Sequence, residues 1–496
     1  MSSNAFQLFP NPSTSPSRIS PNALPGITPE ATETAKNVLQ DDFEKHHVFF
    51  NDKGFHNHIA HHVLAVWALG ANGAVIQATY DHDKGYQRPA YKSPEAITRQ
   101  NFNEHLGDEN YYNAYLNYFV EALKQKDASA VLEEHVFSSA ANFASKNKSG
   151  EHPEMVTRFL DALLHPMIHT GYGIEFKIPG LIAEGLAQTA VHKVRTTNII
   201  PPSSFIADPV PSVGKLASRL HSVVLGSQKP SATHAFTILA RIFKDEAMKP
   251  GADEDNMFTD AVANLGDSIL RHVNEWADFD PSDAQLIERK VEELQWANVL
   301  IYALPGYSYR EEKNFNADFF TMHLVTSSLF LPSLVAVLSP SSQHTLLRSY
   351  FAVSLIWWIA RGKPALDIGA FFDGTNAQPT LEGTPATLKG PKISLTPSSS
   401  VSELNPNPWF SILQQAIDHP DDHLCKCQRA LAHYSALYGS RAAGQSDFSE
   451  TELPGADRLD GTLFVRAAGL TAQRLGRERD DQPLTYWDRT GFAGTK

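Results

Sequence analysis

The 496-residue chain carries 55 acidic against 42 basic residues, a formal net charge of −13, with 42% hydrophobic and 20% charged content. This is soluble globular composition with enough apolar material for one large core. Its acid excess works against binding a phosphate backbone, so nucleic acid is not an expected partner. The two cysteines, Cys425 and Cys427, exclude a disulfide framework and lack zinc-ribbon spacing or a second pair.

Residues 1–28 are rich in Pro, Ser and Asn and are predicted to be disordered or draped on the surface. They show no basic n-region or apolar h-region, so a cytoplasmic location is expected. "TPEATETAKNVLQ" from Thr28 is a helix start, with a Thr cap, Pro at the first helical position and early acids. "GFHNHIAHHVLAVWALG" (54–70) places four histidines in seven positions before an apolar run. There His58 and His62 share a helix face, His61 points a quarter turn away, and His56 lies at or before the start. Asn57 or a histidine is expected to cap this helix.

Three-four spacing continues at Phe159, Leu160, Leu163 and Leu164, and at Leu181, Leu186 and Ala190. "LLHPMIHTGYGIEF" sets His165 and His169 four apart at the expected end of a helix, with Gly171 and Gly173 permitting a tight turn. "DFFTMHLVTSSLFLPSL" puts His323 on an otherwise apolar face. The runs 323–338 and 350–360 fall short of the roughly 20 residues that span a bilayer and read as buried helices, so no membrane partner is expected. Residues 373–408 form a Pro/Gly/Ser/Thr-rich insertion loop. "PDDHLCKCQRALAHYSALYGS" follows as a helix capped by Asp421 or Asp422, with His423 on its buried stripe and Lys426 three residues on. The reading is all-α: a single helical domain over 29–480 with a tail at 481–496.

A lone histidine on an apolar face is more often a core partner than a ligand. Four such helices in one chain favour convergence on a metal. There is no H-E-x-x-H, and the "HPE" (152–154) and "HPD" (419–421) triplets lie in Pro-containing loops, so a His-rich mononuclear site fits best. Imidazole suits iron, copper or zinc, and zinc chemistry as a hydrolase or lyase is the competing class. No G-x-G-x-x-G follows a strand and no G-x-S-x-G is present, so no nucleotide-binding residues and no flavin are expected.

The blocks "FHNHIAHHVLAVWALGA", "YDHDKGYQRP", "HPMIHTGYGIEF", "AEGLAQTAVH", "DFFTMHLVTSSLFLPSL", "YFAVSLIWWIARGKPAL" and "DDHLCKCQRALAHY" together resemble the questin oxidase-like family, from about residue 45 to residue 440. The resemblance implies a helical oxygenase of fungal polyketide metabolism that uses dioxygen to cleave an anthraquinone-type ring. Baeyer–Villiger-type oxygen insertion is the other outcome it allows. It also implies Fe(II) held by His58, His165, His323 and His423 with a carboxylated Lys426. On a helix Lys426 lies one turn from His423, while Lys363 in "ARGKPAL" is its rival beside a helix end. His62, His169 and Glu175 are the expected supporting or proton-handling groups, with His56 and His61 as alternative ligands. NADPH would then be an external reductant of the substrate. Phe55, Trp67, Tyr172, Phe319, Phe320 and Trp357 are candidate walls of a flat pocket.

Overall fold

Thr28 accepts the Ala31 N–H at 3.1 Å ahead of Pro29, so α1 (Pro29–Lys45) begins where the cap signal predicts. It is followed by α2 (Ile59–Ala68), α3 (Gly73–Asp83), α4 (Tyr112–Gln125), α5 (Met155–Leu160), α6 (His165–Phe176) and α7 (Pro179–Val191). Then come α8 (Ala235–Lys244), α9 (Met257–Trp276), α10 (Ala284–Ser308), α11 (Phe319–Ser328), α12 (Pro340–Ala360), α13 (Pro408–Ile417), α14 (Asp422–Tyr438) and α15 (Leu463–Leu475), with shorter helical turns between. This computed structural model describes residues 6–13, 16–144, 146–147, 150–205, 233–249, 256–309, 314–381, 406–476 and 486–492. Among them β pairing is limited to three isolated bridges, so the fold is all-α as expected.

The centre is built by helices that are mostly apolar and buried all round. Every residue of α2 and α6 is buried, as is α7 beyond Pro179. Helix α6 packs on α7, α7 on α4, and α2 on α14, which also meets α11 and α15. The α6–α7 crossing is close because a Cβ at Gly173 would lie 2.6 Å from Ile182, and one at Gly185 2.2 Å from Thr170 Oγ1. The tight turn expected at Gly171 and Gly173 is therefore absent: both sit inside α6, where their missing side chains admit a neighbour.

The expected helix through Leu163 and Leu164 also fails. Helix α5 ends at Leu160, and Ala162, Leu163 and Leu164 take φ values of 50°, 57° and 67° before α6 restarts at His165. Pro166 has no N–H to donate, so it sits in the first turn of a new helix and cannot continue an old one. His165 thus begins its helix and does not end one.

The N-terminal segment lies on the core where it is described. Phe9 packs edge-on against Phe43, and the Leu24 N–H donates to the Ala68 carbonyl at 2.7 Å. Of the expected insertion loop, Asp373 and Gly374 complete a short helix and Pro408 opens α13, while residues 382–405 lie outside the described residues. Residues 481–485 and 493–496 of the tail do so as well; 486–492 run past α11, with the Phe319 N–H donating to the Asp488 carbonyl.

Candidate metal centre

Four helices deliver the histidines, three of them at the cap or first turn and α11 one turn in. The loop before α2 closes on itself through Phe50 N–H to the Phe55 carbonyl at 2.8 Å, and Gly54 turns it at φ 74°, a conformation that favours glycine. Asn57 accepts the Ile59 N–H at 2.9 Å, so His58, at the N-cap position, is spared the capping role. On α14 it is Asp421 that caps, accepting the His423 and Leu424 N–H groups at 2.8 and 3.2 Å. Asp422 then sits at the positive end of the helix, where a carboxylate is favoured. Helix α11 starts on Asp318, whose Oδ1 caps Phe320 and Thr321 while fully buried Arg361 grips Oδ2 at 2.5 and 2.9 Å.

The rings meet in a closed circuit. Centroid separations are 4.9 Å for His58–His165, 5.0 Å for His165–His323, 5.1 Å for His323–His423 and 4.9 Å for His423–His58. Each ring is anchored through Nδ1: His58 to Asp422 Oδ2 at 2.9 Å, His423 to Asp422 Oδ1 at 3.0 Å, His323 to the Phe319 carbonyl at 2.7 Å and His165 to the Ala162 carbonyl at 2.6 Å. The Nε2 atoms of His58, His323 and His423 are buried without a hydrogen-bond partner. Buried polar atoms are seldom left so. Imidazoles tethered by one nitrogen to a carboxylate or carbonyl, with the other nitrogen open, are the pattern of metal ligands, and the residues fit a first-row ion.

Lys426 Nζ pairs with Asp422 and is 5% exposed. Burial and the Lys426 charge push His58 down to about 4, and burial holds His165 and His323 well below the usual imidazole range. They are therefore neutral, the ligating form. Burial opposes protonation of His423, but Asp422 raises it. Burial likewise opposes ionisation of Asp422, which His423, Lys426 and His58 outweigh, holding it well below the usual carboxylate range. Donor atoms of His58, Asp422 and His423 lie within 4.8 Å of one another. Asp422 faces both Nδ1 atoms and Lys426 at ion-pair distance, which places it to orient the rings, while its Oδ2 makes no hydrogen bond of good geometry.

The other candidates fall elsewhere. His62 turns away from His58, its Nδ1 2.8 Å from Asp83 Oδ2; against the cost of burial, Cys425 and Asp83 raise it well above the usual range. His61 Nε2 meets His169 Nδ1 at 3.0 Å, and His169 Nε2 meets Glu184 at 3.2 Å. Glu175 forms a buried pair with Arg429, ten residues and so about 15 Å along α6 from His165. Lys363 donates to the Ile242 and Asp245 carbonyls, tying down the end of α8. His56 stacks on His165 at 4.0 Å and shares a 2.7 Å hydrogen bond with His192. His152 and His419 of the two triplets bond to the Ala144 carbonyl and the Asp421 N–H.

A cavity of about 830 Å³ opens onto His56, His58, His165, His192, Asp422 and His423. Its walls include Phe55, Phe319, Phe320 and Trp357 as expected, but neither Trp67 nor Tyr172, which pack in the core. Sequence reasoning missed Asp422 as an orienting group, though its i,i+4 spacing to Lys426 was a signal. It also missed His192, Asp161 and Phe258, which reach the cavity only through tertiary packing.

The family model described as "Questin oxidase-like" matches residues 55–431. Among similar proteins is a "Questin oxidase" of Aspergillus terreus, 27% identical over 82% of this chain and 81% of its own length. A "Baeyer-Villiger monooxygenase AacuH" of Aspergillus aculeatus is 27% identical over 94% of this chain and 90% of its own. A "Baeyer-Villiger oxidase ptaJ" of Pestalotiopsis fici is 27% identical over 68% of this chain and 71% of its own.

Proposed function

The chain belongs to the questin oxidase-like family, and on that footing we propose that it is an oxygen-using oxidoreductase that opens a ring of an anthraquinone-type polyketide. The observation that carries the reading is the circuit of four anchored imidazoles, three with buried unpartnered Nε2 atoms, beside an aromatic-walled cavity. His58, His165, His323 and His423 would hold Fe(II), with Lys426 completing the set as a carbamate. The ion, when bound, supplies the one-electron chemistry that dioxygen needs.

The chain's own residues do the rest. Phe55, Phe319, Phe320 and Trp357 hold a flat ring system against the histidines and exclude water from it. Asp422 keeps His58 and His423 in the tautomer that presents Nε2. To take up carbon dioxide, Lys426 Nζ must lose its proton and leave Asp422. His62 and His169 are committed to Asp83 and Glu184 and do not line the cavity, so a substrate-facing base is sought elsewhere. NADPH enters as an external reductant of the quinone.

The test is anaerobic reconstitution of metal-free protein with Fe(II) or Zn(II), followed by an anthraquinone substrate, NADPH and isotopically labelled dioxygen. Label in a ring-opened product with iron alone supports the proposal. Turnover with zinc and no oxygen uptake overturns it in favour of a hydrolase or lyase. Relatives named Baeyer-Villiger oxidases favour a second reading, oxygen insertion, whose product is a labelled lactone or ester with its carbon count intact.

A further inference from the structure

The segment between α5 and α6 holds a carboxyl that the metal centre does not use. Asp161 is 3% exposed yet belongs to the cavity wall. Its Oδ1 accepts the Ala162 N–H at 2.7 Å. Its Oδ2 is buried with no hydrogen-bond partner of good geometry, and the Arg195 main chain is near enough to favour the ionised carboxyl. A buried carboxylate oxygen left unpaired is costly unless something arrives to pair with it. The three left-handed residues after Asp161 fix both it and His165, whose Nδ1 is held by the Ala162 carbonyl, so the carboxyl and the imidazole circuit are rigidly related.

We propose that Asp161 is the cavity's substrate-facing base, receiving a phenolic hydroxyl of the bound aromatic substrate on Oδ2. The assignment rests on the aromatic-substrate reading above and names the group that His62 and His169 cannot be. The O–H of the phenol breaks, the proton passes to Oδ2, and the electron pair stays on the ring oxygen as a phenolate. The ring is thereby made electron-rich, and the acid formed is neutral. Burial, only partly opposed by the Ala162 N–H and Arg195, pushes the Asp161 carboxyl up to about 6, closer to a phenol than an ordinary aspartate stands. The charges facing it are the guanidinium groups of Arg195 and Arg158. His165 and His192 on the same wall stay neutral there, the former held well below its usual range and the latter at about 3, both mainly by burial.

The experiment measures binding of 2-naphthol and of 2-methoxynaphthalene to the metal-free full chain by tryptophan quenching, from about pH 8 to about pH 5, a range in which a phenol keeps its proton. Wild-type protein should prefer the hydroxyl compound by roughly tenfold to a hundredfold, the worth of a hydrogen bond to a charged acceptor. That preference should fade below about pH 6 as Asp161 protonates. Asp161→Asn keeps the cap to Ala162 and should lose both the preference and its pH dependence. A wild-type preference that is absent, or that persists unchanged at the acid end, overturns the assignment while leaving the aromatic-substrate reading intact, and it needs no variant to fold. Failure of both compounds to bind overturns the assignment and the aromatic-substrate reading together.

Discussion

Replacing Asp422 with Asn removes one charge and turns one acceptor into a donor. In the native site Asp422 Oδ2 lies 2.9 Å from His58 Nδ1 and Oδ1 lies 3.0 Å from His423 Nδ1, so on the proposed reading a proton on each Nδ1 faces a carboxylate oxygen and Nε2 is the nitrogen left for the ion. An amide offers one oxygen and an NH₂ that confronts the second ring's Nδ1–H. That ring must invert its tautomer, which protonates Nε2 and removes a ligand. Loss of such an orienting partner lowers metal affinity by about 10- to 100-fold. The charge loss acts separately, because Lys426 is left buried beside neutral groups, and breaking a buried pair costs about 3–5 kcal/mol. With an unfolding entropy near 1 kcal/mol/K for 496 residues, Tm of the metal-free protein should fall by about 3–5 °C. Chelator competition under anaerobic conditions reads the first effect and thermal melts the second. Unchanged Fe(II) affinity would refute the tautomer argument, and an unchanged Tm the claim that Asp422 neutralises Lys426.

Lys426→Met should weaken metal binding about tenfold or more, whereas Lys363→Met should leave it untouched and show only in the melting of α8, both read by the same chelator assay. His47 and His58 are buried and pushed down to about 4, chiefly by burial. The unfolded chain takes up their protons below about 6.5 and the native one does not. Each therefore withdraws up to about 3 kcal/mol as pH falls from about 6.5 to about 4, and a Tm that stays flat across that window contradicts the assignment. Ala162→Gly should raise stability by about 1 kcal/mol, since Ala162 holds φ 50° where glycine is at ease; a lower Tm would show that the segment is not strained.

Helix periodicity and caps made the frame legible, as Thr28–Pro29 and the α14 start show, because both are local properties of a few neighbouring side chains. The four histidines stood out for a related reason: each lies in or beside an apolar segment where a polar group needs a partner. What the sequence hid was direction. His58 and His62, four apart, should share a face, but His58 precedes the first helical turn and so points to Asp422 while His62 points to Asp83. "DALLHP" contains no glycine, and nothing local announces three left-handed residues. Asp161, His192 and Phe258 gain their meaning from a cavity, which exists only once distant helices have met.

The anchored circuit runs from His58 to His423, so its parts are made far apart in time. Synthesis runs from the N-terminus at about 5–20 residues per second. The first ring then emerges roughly twenty seconds or more before the last one, and Asp422, which sets its tautomer, comes just as late. During that interval His58 and His165 lack the two later rings, His323 and His423, of their circuit. On the reading proposed above, loading would follow translation, once α14 has brought His423 and Asp422 to the early helices α2 and α6.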